Sequence, residues 1–237
     1  NVDSKSNGIN SKPLGLNNDP KNVFTFKTIQ GEQVLHISGE IYGALTSKQE
    51  YENYHLKLQF KWGEQIWAPR LLKERDSGIL YHCYGAYETF WHVWMSSQEF
   101  QVQETDVGDY YGLKGVLIDI PSEKKEGEKE FTYVKNGKLN PFSSVERSLP
   151  SHANKGFDNE NPHGEWNTLE LICFEGTSYH IVNGEVLMAL YNSKYKNPEG
   201  KIVPLTKGRI QIQSEAAEVF YKSVQIKSIK KLPRKFN

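Results

Sequence analysis

The stretch Ser97-Gln-Glu-Phe-Gln-Val-Gln-Glu-Thr-Asp-Val-Gly-Asp-Tyr-Tyr-Gly112 alternates through its first half. Glu99, Gln101 and Gln103 fall on one side, and Phe100 and Val102 fall on the other. A period of two marks a β-strand with one apolar face turned to a core and one polar face turned outward. The polar side carries a carboxylate and two amides, groups suited to gripping hydroxyls. It runs into an acidic turn of Glu104, Asp106, Gly108 and Asp109. Taken alone, the stretch reads equally as the floor of a polar site or as an exposed strand.

The same period recurs along the chain. In Tyr51–Trp62, Tyr54, Leu56, Leu58, Phe60 and Trp62 share one face, with Gly63 as the expected stop. Further strands are expected at Val23–Thr28, Val34–Ser38, Ile79–Tyr84, Trp166–Phe174, Ser178–Val182, Glu185–Tyr191, Gly208–Ser214 and Val219–Ile229, with Asn183-Gly184 as a hairpin turn. No helical period persists over three turns and no strand–helix alternation is present. The chain therefore reads as all-β, an antiparallel two-sheet sandwich in one domain over 23–237. Residues 1–22 read as a flexible leader left by a removed signal or tag, and residues 113–163, polar and rich in Lys and Glu, as a long loop excursion with short strand-like pieces at Val116–Ile120 and Phe131–Val134.

Composition narrows the function. The 29 Lys and Arg balance the 29 Asp and Glu, which disfavours nucleic acid as a partner. No apolar run reaches the roughly 18 residues of a membrane helix. A lipid tether upstream stays compatible with the sequence. The two cysteines, Cys83 and Cys173, lie in strand-like runs and read as buried thiols.

Site candidates follow from the pattern. Arg209, Gln211 and Gln213 repeat the amide row on a late strand, with Glu215 and Glu218 in the following turn. If the two amide strands were neighbours, they would form one polar trough. Arg75, Asp76 and Ser77 precede His82 as at the rim of a cleft, whereas His180 reads as structural. Glu104, Asp106 and Asp109 could hold a divalent cation through oxygen ligands, although their spacing matches no EF-hand. Zinc-type spacing, a Gly-x-Ser-x-Gly elbow, a phosphate loop and a dinucleotide fingerprint are all absent from the sequence.

Five ordered blocks resemble one family: Asp76-Ser-Gly-Ile-Leu-Tyr-His82, Glu99 to Asp109, Gly164-Glu-Trp-Asn167, His180 with Asn183-Gly184, and Gly208-Arg-Ile-Gln-Ile-Gln-Ser-Glu215. They resemble the 3-keto-disaccharide hydrolase domain, common in secreted proteins of gut Bacteroidetes. The resemblance implies a concanavalin A-like jelly roll and a secreted or periplasmic bacterial enzyme. It also implies an oligosaccharide or glycoside substrate whose 3-keto group permits base-assisted elimination and then hydration. A laminarinase-type glycosidase on this fold would want alternating carboxylates where this strand has Glu99, Gln101 and Gln103, and an amide cannot transfer the proton. On this reading His82 or Glu104 moves the proton. Arg75, Glu99, Gln101, Gln103, Asp106, Asp109, Gln213 and Glu215 bind hydroxyls or the developing oxyanion. The alternative is a non-catalytic glycan-binding module built on the same trough.

Overall fold

Alternation becomes eighteen strands and no helix across residues 12–233, the part of the chain this computed structural model describes. In chain order the strands begin with β1 (Phe24–Ile29), β2 (Glu32–Ile37), β3 (Gly43–Thr46), β4 (Tyr51–Glu52), β5 (Tyr54–Ile66) and β6 (Asp76–Tyr84). They continue with β7 (Ser96–Gln103), β8 (Tyr110–Leu113), β9 (Val116–Glu123), β10 (Phe131–Tyr133), β11 (Leu139–Ser143) and β12 (His152–Asn154). The last six are β13 (Asn167–Phe174), β14 (Thr177–Val182), β15 (Glu185–Lys196), β16 (Ile202–Pro204), β17 (Lys207–Ser214) and β18 (Ala217–Ser228).

Pairing follows two runs. One reads β1-β2-β18-β5-β13-β14-β15, the other β3-β17-β6-β7-β8-β12-β10-β9. Strand β9 also pairs with β15, Tyr191 opposite Asp119, and this ladder joins the runs into one connected sheet. The β10–β12 pair is parallel. The expected separation into two purely antiparallel sheets is corrected to that extent, because β9 is long enough to serve both runs.

The core lies between the runs. Leu56, Leu58, Phe60 and Trp62 of β5 meet Ile79 and Tyr81 of β6 and Phe100 and Val102 of β7 in one buried cluster. Each such side chain contributes about 1.5–3 kcal/mol on burial. Polar ties cross the same layer: the Tyr81 hydroxyl lies 3.0 Å from Ser178 Oγ and 3.2 Å from His180 Nε2. His180 Nδ1 donates to the Gly108 carbonyl at 3.0 Å, and its ring stacks on Phe100 at 4.3 Å. That histidine is held by the core on every side.

Three expectations about the chain change. Residues 113–163 hold β9 to β12, and Ile118, Ile120, Tyr133, Phe142 and Ala153 form a second core cluster with Ile172, Tyr179, Ile181 and Met188. β9 and β10 fall on the strand-like pieces at Val116–Ile120 and Phe131–Val134, whereas polar turns hide the alternation of β11 and β12. Gly63 does not stop β5, which continues to Ile66. It is a close-approach position, where an added Cβ would lie 2.3 Å from Glu218 Oε2. In the leader, residues 1–11 lie outside the described residues. Beyond them, Leu14 packs on the core and Asp19 accepts from the Val23 and Phe24 amides, both at 3.0 Å. Cys83 and Cys173 are buried free thiols.

His82 sits at an irregularity. The β6–β7 register slips between Tyr81 and Tyr84, and the β6–β17 register slips between Arg209 and Gln211. With φ at +51° the chain turns the imidazole into the core, 5.9 Å from the Tyr54 ring and 5.3 Å from the Tyr81 ring. Gly208 passes so close that an added Cβ would lie 2.4 Å from the His82 carbonyl carbon. Because that obstacle is backbone, Gly208→Ala is expected to cost about 3 kcal/mol. A thermal melt should show it as a lower Tm, and an unchanged Tm would contradict the close packing.

Burial pushes His82 down to about 3 and His180 down to about 4. Both are neutral when folded, yet each takes up a proton in the unfolded chain below about pH 6.5. Their contribution is therefore full above that pH and is lost as pH falls toward the folded values. Urea midpoints should already drop between pH 7.5 and pH 5. A flat midpoint over that interval would contradict two buried neutral histidines.

Candidate active site

Strands β17, β6 and β7 lie side by side, and their register sets polar side chains in rows. Asp76 is opposite Gln103, Gly78 opposite Gln101 and Leu80 opposite Glu99. On the other side of β6, Gln211 is opposite Leu80 and Asp76 bridges to Glu215, which puts Gln213 level with Gly78. The two amide strands are therefore not neighbours. β6 runs between them and supplies the missing middle column. Gly78 leaves that column open, since an added Cβ would lie 2.2 Å from both Gln213 Oε1 and Glu99 Oε1.

This face floors a cavity of about 720 Å³. Its walls come from Phe90, Trp91 and Trp94 before β7, from Tyr111 and Lys114 around β8, and from Ser143 to Ser151 between β11 and β12. Phe90 stacks on Trp91 at 4.7 Å and on Trp94 at 6.3 Å, giving one wall a continuous aromatic surface. Such a surface covers the apolar faces of sugar rings, while the floor offers hydroxyl partners.

The floor is short of positive charge. Asp76, Glu99 and Glu215 are 2%, 6% and 7% exposed. Arg70 donates to Asp76, to Glu215 Oε1 at 3.1 Å and to Gln103 Oε1 at 3.2 Å. One guanidinium cannot neutralise three buried carboxylates. Burial, and next the charge of Glu215, hold Asp76 well above the usual carboxylate range. Glu215 is also raised by burial, against the opposing pull of Arg70 and a hydrogen bond with Asp76. Glu99 is raised well above its ordinary value by burial and by the charge of Glu215, opposed by a hydrogen bond from Gln213. A buried carboxyl with a raised pKa in a cleft is suited to exchanging protons near neutral pH. Gln101 is fixed by its own strand, because the Val102 N–H donates to its Oε1 at 3.1 Å and leaves the NH2 as its donor end.

Of the residues expected in the site, Glu99, Gln101, Gln103, Gln213 and Glu215 line the cavity. The others lie elsewhere. Strict alternation would put His82 on the cleft face with Asp76, Gly78 and Leu80, but the bulge and its positive φ send it to the core. Arg75 and Glu104 pair at 3.0 Å, and Arg75 also donates to the Gly63 carbonyl at 2.9 Å, as a clasp outside the cavity. Asp106 accepts from Gln103 Nε2 at 2.6 Å and so supports a cleft residue from behind. Asp109 is buried against Lys155 N at 2.8 Å and His152 Nε2 at 3.1 Å. The three acidic residues of the turn thus bind different partners and do not converge on a cation. Among the described residues, no group of three or more His, Cys, Asp or Glu side chains is placed to hold a metal.

Arg70 and Tyr111 were not among the expected site residues, and Asp76 was expected only at the rim of a cleft, with no role in it. Asp76 was legible: counting back by twos from Leu80 puts it on the cleft face. Arg70 comes from an irregular loop after β5, where no period signals direction.

Gly78→Ala should separate site from fold. Its obstacles are the ends of two side chains rather than backbone, so Tm should move by no more than a few degrees while sugar turnover or binding collapses. A variant with unaltered activity would contradict the contact between Glu99 and Gln213 above this glycine.

A family model described as the 3-keto-alpha-glucoside-1,2-lyase-like domain matches residues 12–227. Among solved structures, the chain is similar to a candidate glycosyl hydrolase from Parabacteroides distasonis ATCC 8503, at 22% identity and a TM-score of 0.52 over 90% of this chain and 93% of that one. It is also similar to the carbohydrate binding module CBM66 from Bacillus subtilis, at 6% identity and a TM-score of 0.50 over 86% of this chain and 92% of that one. At these identities the likeness is one of fold. No protein of curated function matches the chain in sequence.

Proposed function

The chain belongs to the 3-keto-alpha-glucoside-1,2-lyase-like domain family, and on that footing we propose that its cleft cleaves the glycosidic bonds of 3-keto sugars by base-assisted elimination, water adding afterwards. The observation that carries this reading is Glu99, a buried carboxyl with a raised pKa, held by Gln213 on the floor of an aromatic-walled cavity. A 3-keto group acidifies the neighbouring C2–H. Glu99 takes that proton, and the amide donors of Gln101 and Gln213, in the field of Arg70, stabilise the enolate oxygen. The electrons then expel the C1 substituent. His82 and Glu104, outside the cavity, have no part in this scheme.

The carboxyl arrangement favours elimination over ordinary glycoside hydrolysis. An ordinary glycosidase needs two carboxyls facing each other across the bond, about 5–5.5 or 6.5–9.5 Å apart. Here Asp76 and Glu215 are neighbours across a β-bridge and both pair with Arg70, and among the described residues Glu99 is the carboxyl of the three that no ion pair holds. A secreted or periplasmic setting belongs to the same proposal.

A chromogenic 3-keto-glucoside, assayed beside the unoxidised glucoside, tests the reading. Release is expected from the keto sugar alone. Glu99→Gln should lose about 10²-fold or more. Because a raised base must be deprotonated to act, kcat/KM should fall on the acid side at a pH above the usual carboxylate value of about 4.3. Release from the plain glucoside would restore an ordinary glycosidase, and saturable binding without release would make the cleft a glycan-binding module.

A further inference from the structure

Elimination leaves one proton without a donor, the proton that the departing aglycone oxygen needs. The β7–β8 ladder places Tyr111 directly opposite Glu99, and both side chains line the cavity. Directly opposed residues share a face with Cβ atoms about 4.5–5.5 Å apart, so Tyr111 stands beside Glu99 where the wall meets the floor.

The ring of Tyr111 is unusually well held. It stacks on the His152 imidazole at 4.1 Å with 14° between planes, and the β8–β12 register pairs the same two residues. His152 Nε2 lies 3.1 Å from Asp109 Oδ2, and Asp109 Oδ1 is fixed by the Lys155 amide at 2.8 Å. The expected binding residue Asp109 is therefore two contacts behind the cleft, where it fixes the face against which Tyr111 rests. Burial, and next the charges of Asp109 and Glu99, raise the phenol above its ordinary value, so it keeps its proton through neutral pH.

We propose that Tyr111 is the general acid of the reaction, giving its hydroxyl proton to the aglycone oxygen as the C1–O bond breaks; this rests on the elimination reading. The step balances within the two residues. The Glu99 carboxylate takes the C2 proton, the C2–H electron pair becomes the C1–C2 double bond, and the C1–O pair leaves with the oxygen that receives the Tyr111 proton. Water then adds in reverse. The phenolate takes a proton from water as its oxygen bonds to C1, and Glu99 returns its proton to C2. No oxidant, reductant or further proton source is consumed.

Tyr111→Phe keeps the ring and its stack on His152 and removes only the hydroxyl. Leaving groups of different basicity then read the role. A nitrophenolate departs without protonation, whereas a sugar alkoxide does not. The variant should slow a 3-keto-disaccharide by about 10²-fold or more while slowing the nitrophenyl 3-keto-glucoside by less than about tenfold. Equal losses on both substrates, or no loss on either, would overturn Tyr111 as the acid while the wild-type turnover leaves elimination standing. Failure of the wild-type protein to turn over either keto substrate would defeat the elimination reading itself, and this role with it.

Discussion

Three carboxyl groups buried around one guanidinium constrain everything near the cleft. Among the described residues Arg70 is the cation that pairs with Asp76 and Glu215, and burial with their mutual charge holds the Asp76 carboxyl well above the usual carboxylate range. The arrangement holds only because β6 has no side chain at Gly78, where Glu99 and Gln213 meet. Behind the same strand, Ser77 Oγ donates to the Gln213 carbonyl at 2.9 Å and lies 2.8 Å from the Tyr221 hydroxyl, so β6 is tied to β17 and to the core at the level of the site. Removing one partner from such a buried cluster strands the others, which makes its members interdependent.

The floor is built from strands rather than loops, and that suits a site that must hold proton donors and acceptors in place. Phe100 and Val102 are locked in the core while Glu99, Gln101 and Gln103 project the other way from the same backbone. The aromatic wall is different. Trp91 and His92 both adopt positive φ, at +51° and +63°, in the bend that presents Trp91 and Trp94 to the cavity. Two consecutive non-glycine residues in the left-handed region are costly, and such cost concentrates where side chains must be aimed. Floor and wall thus use opposite devices, regular register for the chemistry and a strained bend for the contact surface.

How much of this the sequence discloses depends on where alternation survives. Tyr54 to Trp62 and Glu99 to Gln103 keep their period, and their faces fall as the residues imply. Gln211 and Gln213 do too, although the strand that separates them from the first amide row could not be placed from the pattern. His82 is the instructive failure. Its position in the count is right, but a one-residue bulge reverses its side, and no residue type nearby announces the slip. Within residues 113–163 the strand-like pieces at β9 and β10 are legible, but β11 and β12 are too brief to show a period, yet they flank the wall that carries Ser143 and Ser151 and the His152 ring behind Tyr111. The carboxyl cluster itself is assembled from a loop, a mid-sheet strand and a late turn, so only the fold brings Arg70, Asp76 and Glu215 together.

The central claim is that the bond between C2 and its hydrogen breaks in this cleft before the aglycone leaves. Single-turnover rates for a 3-keto-glucoside carrying either hydrogen or deuterium at C2 test it most directly. The account predicts slower release from the deuterated sugar, because Glu99 must pull that atom away. Equal rates, with turnover otherwise intact, would contradict elimination and assign the cleavage to direct displacement at C1.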